Sequence, residues 1–302
     1  MVLSQRSSKF HTGKSINAFS LLFVPPAEGG GMEISMKRIR YYLHLYWVSI
    51  SRSLISRLEY KKDLFIGIFG FLLENVASIC SIYFIIRNIP SLAGWGIYQM
   101  GFLYGFTMMP IAVDHLFTDE LWRVAYFRVK KGDLDRYFLR PNPILFQVIA
   151  ETFQPEAFGE LIVGTVMLVI CGIQCQIHWT FGKVIMILVA TLFGAFIVTA
   201  IKIFTAAPAF VIKRSGFIMQ ILYNFRDYTK YPIQIYPSAI RALLLFIFPF
   251  GLMISMPVDN LMFDTINPWF ISMSIILMAF AFMCLSVAFW NVCVRKYEST
   301  GS

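Results

Sequence analysis

Apolar runs of membrane length recur along this chain, and a run of that length restricts the fold more than any short motif does. Residues 64–86 carry one charge, Glu74, in 23 residues. At 1.5 Å per residue a helix of that length reaches about 35 Å, enough to cross roughly 30 Å of hydrocarbon. Residues 184–201 carry no charge at all. In lipid every peptide group must be paired within the protein, which makes such runs helices. Six spans are expected, at 64–86, 97–113, 158–173, 184–201, 242–257 and 269–292. The expected fold class is therefore all-α, a polytopic membrane protein of six transmembrane helices.

Composition agrees. The chain is 58% hydrophobic and only 14% charged, too few charges to disperse a soluble protein of 302 residues. Its formal net charge of +9 would suit a nucleic-acid binder if the charges formed one face. They fall instead between the apolar runs, where an anionic lipid leaflet meets them. Membrane lipid is the expected partner and nucleic acid is not. Twenty of the 26 Lys and Arg lie in four segments, 37–62, 117–143, 203–241 and 295–296. The three loops expected on the other side carry none. Lys and Arg are retained on the cytoplasmic side, so both termini are expected there.

Residues 1–31 read as a disordered tail, or as sequence upstream of the true start, since Met32 and Met36 open a cleaner pattern. "TGKS" at Thr12–Ser15 lacks the first glycine of a phosphate loop and any preceding strand, so it is not read as one. In 37–62 aromatic residues alternate with seven Lys and Arg. That pattern predicts a helix lying at the inner membrane surface ahead of the first span. The five cysteines, 80, 171, 175, 284 and 293, complete no zinc set, and no metal site is expected.

The most charged internal stretch is 128–143, "RVKKGDLDRYFLRPNP". It sits between the second and third spans and carries its own turn residues, Gly132, Pro141 and Pro143, so it is expected to do more than link helices. Elsewhere, Gly101 and Gly105 have the spacing that lets two membrane helices approach closely. Glu74 in the first span, and Glu156 and Glu160 at the start of the third, are too costly to face lipid. They are candidates for a translocation path. Lys202 is expected to snorkel to the inner surface. The region 203–241 reads as an inner-surface or re-entrant segment, ending in two prolines that break any long helix.

Three stretches taken together, "GDLDRYFLRPNP", "YPIQIYPSAIRALLLFIFPFGLMISMP" and the terminal "YESTGS", resemble the ABC-2 type permease family, in the six-span branch described as ABC-2 family transporter proteins. The likeness covers about 32–302. It implies a permease subunit of an ATP-driven exporter in the bacterial plasma membrane. A separate ATPase subunit would hold ATP and Mg, and the permease would pair with a second copy or a related chain. It further implies that Gly132, Asp133, Leu134, Asp135, Arg136, Leu139, Arg140 and Pro141 lie at or near the ATPase contact. The chain holds no complete phosphate loop, so no ATPase activity, cofactor or catalytic residue of its own is expected. Two rivals use other residues. An ion-coupled secondary transporter would rely on Glu74 and Lys202, and an intramembrane acyl-transfer enzyme on Asp114 and His115.

Overall fold

The computed structural model of the protein describes residues 31–88 and 92–298. The expected N-terminal tail lies outside them apart from Gly31. Residues up to Trp47 form one unit, and the chain from Val48 onward forms another. The first is helical throughout its described part, the opening turns of α1 (Gly31–Glu59). The helix ends ahead of Lys61 and Lys62, which open α2 (Lys61–Asn88) instead.

The second unit is built around α3 (Ile97–Thr118), which is buried on nearly every side from Met100 to Ala112. Its partner is α7 (Phe158–Gln174). The two helices meet at small residues. A Cβ added at Gly105 would lie 2.8 Å from Met167 Cβ and 3.1 Å from the Gly164 carbonyl, and one at Gly101 would lie 2.6 Å from Cys171 Sγ. With no water to expel between helices in lipid, such close backbone contact is what holds them together. Gly105→Val is therefore expected to lower the thermal unfolding midpoint in detergent, at a cost of about 1–3 kcal/mol from overpacking. Gly70→Val, where an added Cβ meets nothing within 4 Å, should leave the midpoint unchanged.

On the other side of α3 runs α8 (Phe181–Ala206), with α13 (Pro268–Val294) beside it. Phe204 and Phe289 stack across that pair with centroids 4.6 Å apart. Between α3 and α7 the connector forms α4 (Glu120–Arg123), a π-helical turn (Val124–Arg128), α5 (Asp135–Phe138) and α6 (Ile144–Glu151). Between α8 and α13 lie α9 (Ala209–Ile212), α10 (Gly216–Asp227), α11 (Ser238–Ala242) and α12 (Met256–Phe263). Among the described residues the β pairing is one isolated bridge, Leu92 to Trp95.

Among the described residues four helical stretches are long and apolar enough to cross a membrane: Lys61–Phe84, Pro155–Gln174, Phe181–Ile212 and Pro268–Val294. A fifth comes from a bent pair, Ser238–Ile247 and Gly251–Phe263, at 87°. The protein is thus a multi-pass membrane protein. Phe65, Ile66, Phe69, Leu277 and Phe280 are all exposed; hydrocarbon is the solvent that suits them. Two expected spans differ from their sequence outline. The one at 97–113 is helical, but α3 is not among the strongly apolar stretches. Protein surrounds it, so it carries Thr107, Asp114 and His115 without facing lipid. The one at 242–257 is broken at Phe248–Pro249, because proline lacks the N–H that would continue the helix. Its second half runs on through Phe263, converting most of the expected outer loop into α12.

The segment 203–241 also takes a shape that composition did not reveal. Ser215 N donates to Ala125 O at the connector (2.9 Å). Further along, Thr107 Oγ1 in the middle of α3 donates to Thr229 O (3.4 Å). α10 therefore climbs from the connector to mid-height of α3, and the next stretch packs beneath α12, where Gln234 Nε2 donates to Asp259 Oδ2 (2.8 Å).

Candidate functional site

The connector is a hairpin of short helices closed by buried charge. Arg128 is the pin. Its Nη2 lies 2.5 Å from Glu120 Oε1 at the start of the hairpin, and its Nη1 lies 2.6 Å from Glu151 Oε2 at the end. Tyr137 joins the same knot: its hydroxyl accepts from Arg128 and donates to Glu151. Arg136 Nη2 adds a second contact to Glu151 at 2.9 Å. Thr152 Oγ1 donates to Glu120 Oε2 (2.7 Å). Burial pushes the Glu120 carboxyl above its ordinary range, and the Thr152 hydrogen bond and the Arg128 charge pull it back. A carboxylate held out of water in this way needs its partners in place.

This knot sorts the sequence candidates into two groups. Leu134 and Tyr137 are buried and fasten α5 down. Gly132 takes φ +74°, a turn that costs a side chain but not glycine. Arg136 is engaged by Glu151, and Asp135 Oδ1 accepts from the Tyr297 hydroxyl (2.7 Å). Facing away from the body are Asp133, Leu139, Arg140 and Pro141. Leu139 stands 87% exposed at the tip, which is unusual for a leucine beside a well-packed knot.

Tyr297, beyond α13, closes over α5. Tyr297 stacks on Phe138 with centroids 4.9 Å apart and planes 9° from parallel. Burial pushes its phenol up to about 12, with the Asp135 hydrogen bond and charge adding to the rise, so the hydroxyl keeps its proton and donates. Two of the three family-like stretches, the connector and the C-terminal segment, therefore touch. Sequence reasoning singled out the charged stretch that holds Arg128 but did not pair it with Glu151, and it gave Glu120, Tyr137 and Tyr297 no role. The contact with Tyr297 spans 162 residues of chain, beyond the reach of any local spacing.

A second ion cluster lies where α3 meets α8. Lys202 is fully buried, with Nζ 2.6 Å from Asp114 Oδ2 and 3.0 Å from Asp119 Oδ1. Asp114 Oδ1 also accepts from Thr199 (2.7 Å) and Thr118 (2.5 Å). The expected snorkelling of Lys202 is thereby corrected: it turns inward because two carboxylates wait there. His115 turns the other way, its Nδ1 3.0 Å from Glu160 Oε2. Asp114 and His115 thus serve different partners and do not converge as a catalytic pair.

The three candidate path carboxylates do not share a partner. Glu160 is held by His115. Glu156 is held by Arg57 Nη1 at 2.8 Å, near Ser53, whose Oγ donates to Phe153 O (3.1 Å). Glu74 stands on the exposed side of α2, between Leu73 and Val76. Gly101 and Gly105 lie in the α3–α7 contact described above.

No curated protein and no solved structure matches the chain. A family model, described as ABC-2 family transporter protein, matches residues 72–301, which takes in α3, the connector and every element after it. With that match and its apolar helices, the chain belongs to the ABC-2 family of transporter proteins, as a multi-pass membrane permease of the ABC type.

Proposed function

We propose that this chain is the membrane subunit of an ATP-driven exporter in the bacterial plasma membrane. It crosses the bilayer six times with both termini in the cytoplasm, and it works with a second permease, identical or related. ATP and Mg belong to a separate ATPase subunit that docks on the connector. The basic residues of 37–62, 117–143 and 295–296 support this orientation.

One observation carries the reading. The base of α5 is locked by Arg128, Tyr137 and Glu151, while its tip presents Leu139 and Arg140 to the outside. A rigid base with an apolar, charged tip is what transmits a push from a soluble partner. ATP closing the partner would move the tip, and the knot would carry the motion through Glu120 in α4 to α3, and to α7 beyond Glu151. A nucleotide can shift the permease only through unequal contact with its two states, so a firm contact is required.

The test is co-purification in mild detergent. The unaltered chain is expected to bring down an ATPase. Leu139→Asp should weaken that association about tenfold or more, since burying a leucine at an interface is worth about 1.5–3 kcal/mol. The exposed position should leave membrane insertion and thermal stability unchanged. A full complement of ATPase on Leu139→Asp would count against the docking role.

A further inference from the structure

α10 is amphipathic in a place where an ordinary surface helix would not be. It rises from the connector, where Ser215 Oγ also donates to Ala206 O (3.3 Å), to the middle of the 22-residue α3. Its packed side is Gly216, Met219 and Tyr223. Its open side carries two parallel rows. Phe217 and Ile221, 58% and 55% exposed, make an apolar one. Gln220, Asn224 and Asp227 make a polar one, at positions i, i+4 and i+7 of the helix.

At the connector end Gln220 Oε1 accepts from the Tyr126 hydroxyl (3.4 Å), yet Gln220, Asn224 and Asp227 all stay exposed. Gln220 Nε2 donates to Asn224 Oδ1 (3.1 Å) along the row itself. At the upper end Asp227 Oδ1 meets Lys230 Nζ at 3.0 Å, yet the Asp227 side chain is still 52% exposed. Ion pairs at mid-height of a membrane helix are costly against hydrocarbon and are found facing protein or water. The neighbouring exposed helices offer lipid an apolar surface; this row does not.

We propose that Gln220, Asn224 and Asp227 line a water-filled inlet that enters the membrane from the connector end and stops at the Asp227–Lys230 pair. The adjoining Phe217–Ile221 row fits it to an amphiphile, whose polar head follows the water while its apolar part stays against the two hydrophobic side chains. This rests on the permease reading and adds to it the class of solute carried. It also moves the path away from Glu156 and Glu160, which are already engaged by Arg57 and His115.

Thiol labelling in sealed vesicles tests the inlet. Starting from a variant without the native cysteines at 80, 171, 175, 284 and 293, single changes Phe217→Cys, Gln220→Cys, Ile221→Cys, Asn224→Cys and Asp227→Cys are exposed to a charged, membrane-impermeant thiosulfonate. The reagent is added on the side from which Lys130→Cys is reached. Cysteines at 220, 224 and 227 should react at least about tenfold faster than those at 217 and 221, because a thiol in hydrocarbon does not ionise to the reactive thiolate. Gln220→Cys and Asn224→Cys remove no charge, so they report even if Asp227→Cys fails to fold. Equal rates at all five positions would make α10 a plain surface helix and overturn the inlet, as would silence at 220 and 224. Dodecylphosphocholine below its micellar concentration should slow labelling of Asn224→Cys, whereas phosphocholine alone should not. Absence of protection by the detergent would overturn the amphiphile assignment. None of these measurements needs the ATPase, so their failure leaves connector docking standing.

Discussion

Lys202→Met is expected to remove most of the folded protein recovered from membranes. The lysine is fully buried and bridges Asp114 and Asp119 at 2.6 and 3.0 Å. Without it, Asp114 remains as a carboxylate sealed from water, helped only by the hydroxyls of Thr118 and Thr199. Breaking a buried pair from one side costs about 3–5 kcal/mol, set against a total stability of about 5–15 kcal/mol for a typical domain. Asp119 suffers less, since its side chain is 25% exposed and accepts from Gln154 Nε2 (3.0 Å). The double variant Lys202→Met with Asp114→Asn should regain much of the loss, because no bare charge is left. Thermal unfolding followed by fluorescence-detected size exclusion in detergent measures both. A snorkelling lysine would behave otherwise: Lys202→Met would be close to neutral and the second change would add its own cost.

Arg128→Met is expected to unlatch the connector while leaving the membrane helices folded. Arg128 holds both ends of the hairpin, Glu120 at 2.5 Å and Glu151 at 2.6 Å, and it donates to the Tyr137 hydroxyl as well. Its loss leaves Glu120, whose side chain is completely buried, with only the Thr152 hydroxyl and the more distant Arg123 at 3.6 Å. The local cost is again about 3–5 kcal/mol. Hydrogen exchange across 129–143 should rise sharply, and trypsin should cut at Lys130 or Lys131. Arg136→Met removes a half-exposed partner of the same Glu151 and should cost only about 0.2–1 kcal/mol. A connector that stayed protected in Arg128→Met would mean that Leu134 and Tyr137 hold α5 by packing alone.

The helices were legible where lipid writes the pattern. The runs at 64–86, 158–173, 184–201 and 269–292 each coincide with a long apolar helix, since every side that meets hydrocarbon must be apolar. Legibility failed where protein replaces lipid. α3 is wrapped by neighbours, so its sequence tolerates Asp114 and His115 in what looked like a span end. The break at Phe248–Pro249 is hidden because both halves of the bent pair are apolar; proline marks a place where the helix can stop but not the angle at which it resumes. Lys202 looked like a snorkelling residue because its partner Asp114 lies 88 positions earlier in the sequence.

The candidate site divides in the same way. Gly132, Asp133, Leu134, Asp135, Arg136, Leu139, Arg140 and Pro141 stand out as one motif, and the chain does build one element there. Which of them anchor and which face out depends on Glu120 and Glu151, outside the motif on either side, and on Tyr297, 162 residues beyond Asp135. No spacing rule pairs Tyr297 with Asp135 or stacks it on Phe138. The polar row of α10 was missed for a related reason. Gln220, Asn224 and Asp227 carry ordinary surface spacing, and only the contact of Thr229 with Thr107 lifts them to mid-height.

The most direct test of the central claim, that the outward tip of α5 is where a separate ATPase pushes, is a photo-cross-linking amino acid placed at Leu139 in native membranes. The account predicts an adduct with a soluble-domain protein that hydrolyses ATP, formed from the cytoplasmic side and lost when Arg128→Met unlatches the connector. Adducts with lipid or with a second permease alone, or a residue at 139 that reagents reach from outside intact cells, would contradict it.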